Sequence, residues 1–148
     1  MIRILIVDDE ANIRNGYKRF FPWEELGYEV IGSVENGKTA LDFLKNQDVD
    51  VIMTDIVMPV MDGLELARNV MREYPKVKII LLSNHENFEF ARKAIESNVC
   101  SYVLKSDKHS VLIDTLSAIK DELTKEPLPE TQGHSCSTIA AIQRYVRN

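Results

Sequence analysis

Five short apolar runs recur along the chain: Ile2 to Val7, Tyr28 to Val34, Val51 to Met53, Val77 to Leu82 and Cys100 to Leu104. They are rich in Val, Ile and Leu and lack a clean polar–apolar alternation, the pattern of strands covered on both faces. Segments of helical period separate them, from about Ala11 to Phe21, Lys38 to Leu44, Leu64 to Tyr74, Phe88 to Ser97 and Val111 to Leu123. In the second of these, Ala40, Leu41 and Leu44 share one side. Strand and helix alternating five times predict a parallel sheet with right-handed crossovers and helices on both faces. The predicted fold class is therefore α/β, a flavodoxin-like (βα)5 doubly wound parallel sheet with strand order 2-1-3-4-5.

Local signals agree with this division. Asn36-Gly37 breaks the chain before the second helix, Pro59 and Asp62-Gly63 precede the third, and Pro75 follows it. Asn98 stands where a left-handed cap would close the fourth helix, and Trp23 is expected to pack at the end of the first. After Lys125 the stretch EPLPETQGHSCS, residues 126–137, has the composition of a linker. Beyond it Ser137-Thr138 can cap a new helix in which Ile139, Ile142 and Val146 fall near one face. The expected layout is one domain over 1–125, a linker over 126–137, and the start of a second, truncated domain over 138–148.

At 148 residues, 45% hydrophobic and 28% charged, the chain can bury an ordinary core. A net charge of -5 speaks against this stretch itself gripping nucleic acid or an anionic membrane, which takes clustered Lys and Arg. No apolar stretch approaches the ~20 residues of a membrane span, and no secretory leader opens the chain, so a cytoplasmic location is expected. Cys100 and Cys136 stand far apart, and His85, His109 and His134 are scattered. That spacing favours reduced thiols over a zinc site.

The chemistry gathers at the strand ends. The first run stops against Asp8, Asp9 and Glu10, and Asp55 follows Val51-Ile52-Met53-Thr54. In a 2-1-3-4-5 sheet these ends are neighbours at the point where ligand sites form. Three converging carboxylates would repel one another unless a cation compensates them, and carboxylate oxygens with retained waters suit Mg2+. Glu10, entering the first helix, is favoured by the helix N-terminus rather than by the chemistry. Ser83 closes the fourth strand with a hydroxyl, and Lys105 brings a fixed positive charge to the end of the fifth. Singly, each is more often a solvated cap, a turn hydroxyl or a surface lysine. Together, at the ends of four strands, they suit phosphoryl transfer onto an Asp nucleophile.

The motifs ILIVDDE, MTDIVMPVMDG, IILLS and SYVLK, in this order over residues 1 to about 123, resemble the receiver domain of bacterial two-component response regulators. The resemblance implies that Asp55 is a phosphoacceptor served by the phosphohistidine of a sensor histidine kinase. It implies Mg2+ held by Asp9, Asp55 and the backbone carbonyl of Val57, with Asp8 acting through a water. Ser83 and Lys105 would contact the phosphoryl oxygens, and Ser83 and Tyr102 would form the switch. The fourth helix, fifth strand and fifth helix would make a homodimer surface. Such a domain regulates rather than acting as an enzyme, catalysing only its own phosphorylation and slow dephosphorylation. NFEFARKAIES and STIAAIQRYVRN further resemble regulators with an AraC-type DNA-binding domain, which implies DNA contact only through a C-terminal domain missing from this chain.

Three positions depart from the family pattern. Ser106 replaces the proline that usually follows the lysine, and a cis bond before a non-proline residue costs ~2.5–4 kcal/mol. The Lys105-Ser106 bond is thus expected to be trans at least in part. Val57 offers no polar group to orient an attacking water, and Asn84 is larger than the small residue often found there. Both imply slow self-dephosphorylation, over minutes to hours. An Asp-nucleophile phosphohydrolase would want a second acid two residues after Asp55, where Val57 stands. A stand-alone receiver acting through protein partners would leave the linker and the last helix without a purpose.

Overall fold

Alternate residues of each buried strand face opposite layers, and this explains the unbroken apolar runs. The computed structural model describes residues 1–83, 101–104 and 109–124. Its strands are β1 (Ile2–Val7), β2 (Tyr28–Val34), β3 (Val51–Asp55), β4 (Lys78–Ser83) and β5 (Ser101–Leu104). They form one parallel sheet in the order β2-β1-β3-β4-β5, as the strand pattern predicts. The helices are α1 (Ala11–Phe20), α2 (Trp23–Leu26), α3 (Gly37–Asn46), α4 (Gly63–Glu73) and α5 (His109–Thr124).

Leu5, Val7, Ile52, Ile79, Leu81 and Tyr102 face one core layer, which Ala40 and Leu44 of α3 and Leu66, Ala67 and Val70 of α4 complete. Ile4, Ile6, Val51, Met53, Ile80 and Val103 face the other, closed by Leu112, Leu116 and Ile119 of α5 with Phe21 and Trp23. Two expected start signals act as caps. Asn36 Oδ1 accepts from Thr39 N at 2.9 Å and Asp62 Oδ1 accepts from Glu65 N at 2.8 Å, each contributing about 1 kcal/mol.

Trp23 packs at the end of α1 as expected, but it belongs to a separate turn, α2, which it opens. Gly27, at φ 84, closes that turn in the left-handed region and leads into β2. The buried Trp23 ring stacks on Phe21 and meets Tyr28 edge-on, while its Nε1 donates to the Tyr17 carbonyl at 2.8 Å. The fourth helix, Asn98, Cys100, the Lys105-Ser106 bond and everything from 125 onward lie outside the described residues.

Tyr28 is fully buried and its hydroxyl donates to the Leu116 carbonyl at 2.6 Å, tying β2 to α5. Burial pushes its phenol pKa up. The neutral phenol is therefore favoured in the folded state; its contribution is complete below the unfolded pKa of about 10 and is lost as pH rises beyond it. Tyr28→Phe is expected to lower stability by about 1 kcal/mol at neutral pH. It should also flatten the fall of stability above about pH 10, as read from urea melts across that range.

Candidate functional site

Parallel pairing of β1 with β3 ends at Val7↔Thr54. One residue further, Asp8 and Asp55 stand side by side at the carboxyl ends of the two strands, 2% and 8% exposed. Asp9 follows on the exposed side. Carboxylate oxygens of Asp8, Asp9 and Asp55 all lie within 4.8 Å of one another. The oxygens around a Mg2+ with bonds of about 2.0–2.1 Å are at most about 4.2 Å apart, so small side-chain movements suffice for these acids to share an ion. The donors are hard oxygens, the type that ion takes.

The backbone of each strand end is held firmly. Asp8 N donates to Val34 O at 3.1 Å, Asp8 Oδ1 accepts from Glu10 N at 3.0 Å, and the Asp8 carbonyl accepts from Arg14 Nη1 at 2.6 Å. Glu10 occupies the N-cap of α1 without a side-chain capping bond. Asp55 Oδ1 accepts from Ile56 N at 2.8 Å, and the Asp55 carbonyl accepts from Thr54 Oγ1 at 2.9 Å.

The loop from Ile56 to Asp62 then folds back. Gly63 N donates to Ile56 O at 2.7 Å and Gly37 N donates to Met61 O at 3.2 Å, joining the starts of α4 and α3 to this loop. Val60 adopts φ 71, a left-handed conformation that costs a β-branched residue about 1–3 kcal/mol and persists only where neighbours impose it. Val57, two residues after Asp55, is apolar and 54% exposed.

The structure thus brings Asp8, Asp9 and Asp55 together, as their strand ends predict. Ser83 is the last residue of β4, paired with Leu104; its side chain and the whole of Lys105 lie outside the described residues. Tyr102 is buried on β5 opposite Leu81. Three contributors were absent from the sequence expectations as site residues. Thr54 and Arg14 look like an ordinary strand and surface residue, and carry no motif. Gly63 signals a helix start in the sequence, although a glycine directly after an Asp cap can also mark a close backbone approach.

Residues 4–117 match the family model of the response regulator receiver domain. The chain belongs to that family. This receiver domain is 36% identical over 126 residues to the uncharacterized transcriptional regulatory protein YesN of Bacillus subtilis, covering 85% of the chain and 34% of that protein. It is 31% identical over 118 residues to the transcriptional regulatory protein DegU of Brevibacillus brevis, covering 80% and 50%. The chain therefore spans between a third and a half of these relatives. Among solved structures, the REC domain of AraT, a response regulator from Geobacillus stearothermophilus, superposes with a TM-score of 0.76 at 34% identity, over 82% of the chain and 95% of that domain. Among the described residues of the receiver domain, no helix is long and apolar enough to cross a membrane.

Proposed function

We propose that this receiver domain accepts a phosphoryl group on Asp55 from the phosphohistidine of a sensor histidine kinase, and that the modification controls an output domain that regulates transcription. The convergence of the three carboxylates at the β1 and β3 ends carries this reading. Asp9, Asp55 and the Val57 carbonyl would hold Mg2+ directly, with Asp8 acting through a water. When bound, the ion would supply positive charge against the phosphoryl oxygens. An Asp55 carboxylate oxygen attacks phosphorus as the P–N bond to the kinase histidine breaks, and the imidazole leaves with that electron pair. Asp8, bonded to Glu10 N through its own carboxylate, keeps the cluster in register. Ser83 and Lys105 would hold the equatorial oxygens.

The new contacts of Ser83 and Lys105 would bias a two-state element that includes Tyr102. Segments 88–97, 101–104 and 109–124 would then form the homodimer surface. In this reading the receiver covers 1–125 of a cytoplasmic regulator, 126–137 is a linker, and 138–148 opens an AraC-type DNA-binding domain through which any DNA contact would be made. The names of YesN and DegU as transcriptional regulatory proteins support a transcriptional output.

The test is intact mass after incubation with acetyl phosphate. An adduct of one phosphoryl group that forms with Mg2+ and not with EDTA supports the reading; no adduct in either condition removes it.

The exposed apolar Val57 offers nothing to orient water on the phosphorylated aspartate. Val57→Asn is expected to shorten the adduct's lifetime roughly tenfold, equivalent to ~1.4 kcal/mol of barrier. Decay of the mass adduct after donor removal measures this, and an unchanged lifetime counts against the role given to this position.

A further inference from the structure

We infer that Arg14 is a positioning residue for the metal-holding acids, an inference that rests on the reading of the acidic cluster as a Mg2+ site. Its Nη1 donates to the Asp8 carbonyl at 2.6 Å, a short charge-assisted bond of the stronger class. That carbonyl lies one residue beyond the last sheet pairs of β1, Val7↔Thr54 and Val7↔Val34. It begins the turn that presents Asp9. Glu10 makes no side-chain cap to α1, and no residue of α1 is buried, so core packing alone does not lock the helix against the turn. Arg14 supplies a side-chain link from the second turn of α1 back to the strand end. Asp9, exposed and attached to this turn, is oriented by that link together with the bond from Glu10 N to Asp8 Oδ1 that spans it.

Two effects of the guanidinium oppose each other, and this makes the inference testable by sign. As a nearby positive charge it repels a cation, so its removal would tighten metal binding. As a clamp on the turn it preorganises Asp9, so its removal loosens binding; partners that orient metal ligands are typically worth about 10–100-fold in affinity. A 2.6 Å bond to the ligand turn itself gives the clamp the larger weight.

The experiment measures Mn2+ binding to the full chain by loss of the free-ion EPR signal, with Mg2+ as competitor, in wild type, R14M, R14K and D9N. R14M is expected to bind about tenfold more weakly, with R14K between it and wild type because lysine keeps the charge without the planar fork. Adduct formation from acetyl phosphate in R14M should need correspondingly more Mg2+ for half-saturation, with less effect on the rate reached at saturation. Equal or tighter binding in R14M overturns the inference while leaving the metal site intact, provided D9N loses binding. If R14M does not fold by circular dichroism, wild-type affinity in R14K overturns it instead. Wild type that binds no Mn2+ overturns the metal-site reading and this inference with it.

Discussion

Asp55→Asn is expected to gain no phosphoryl mass from acetyl phosphate and Mg2+ under conditions that modify the wild-type chain fully. Asp55 lies at the end of β3, 8% exposed, with one carboxylate oxygen already accepting from Ile56 N. An asparagine side-chain oxygen can keep that hydrogen bond, so the variant should fold normally. The amide, however, is a poor nucleophile and brings no negative charge to a cation. Removing one of three acids whose oxygens lie within 4.8 Å also relieves like-charge repulsion. The metal-free variant should therefore melt at or above the wild-type temperature, while stabilisation by Mg2+, which follows the ligand's affinity for the folded state, should shrink. Intact mass and thermal melts with Mg2+ and with EDTA read both outcomes. An adduct persisting in the variant would place the phosphoacceptor elsewhere; a variant that melts far lower would mean the lost chemistry reflects a damaged fold.

The second large effect is expected at Gly63. A Cβ there would overlap the Asp55 carbonyl oxygen and stand 3.0 Å from both the Asp55 carbonyl carbon and Ile56 Cα. These are backbone atoms at the end of a buried central strand, and no flexible side chain can move aside. Gly63→Ala removes a conformationally free residue from a helix start, which by itself would help slightly. The overlap outweighs that gain, since overpacking costs ~1–3 kcal/mol even where side chains can adjust. We expect a loss of about 3 kcal/mol, roughly a 10 °C drop in melting temperature for a domain of this size. Mn2+ binding should weaken in the same variant, because the displaced atoms belong to the Asp55 peptide. A chemical melt showing less than about 1 kcal/mol lost would mean that α4 can retreat from β3 freely.

Gly63 also illustrates how far the sequence alone could be followed. The Asp62-Gly63 pair announced a helix, and Asp62 does cap α4 through Glu65 N. What the pair could not announce was the surface against which that helix start is pressed. Trp23 is a similar case: its burial was foreseeable from its size, but α2 was not, because one helical turn between Pro22 and Gly27 leaves no periodicity to detect. Asp8 and Asp55 present the opposite situation. Their strands are recognisable from apolar runs, and once the order 2-1-3-4-5 is assumed the two acids must meet, since adjacent parallel strands end at the same edge.

Local residue patterns thus give the strands and their burial, and with the order 2-1-3-4-5 of the fold class they give the convergence of Asp8, Asp9 and Asp55. The hydrogen bond from Arg14 to the Asp8 carbonyl, the fit of Gly63 against the Asp55 backbone and the left-handed conformation of Val60 come from the packed fold alone. Those features depend on distances of a few ångströms between particular backbone and side-chain atoms. Such distances are set by how packed elements settle against each other, and no period or composition encodes them.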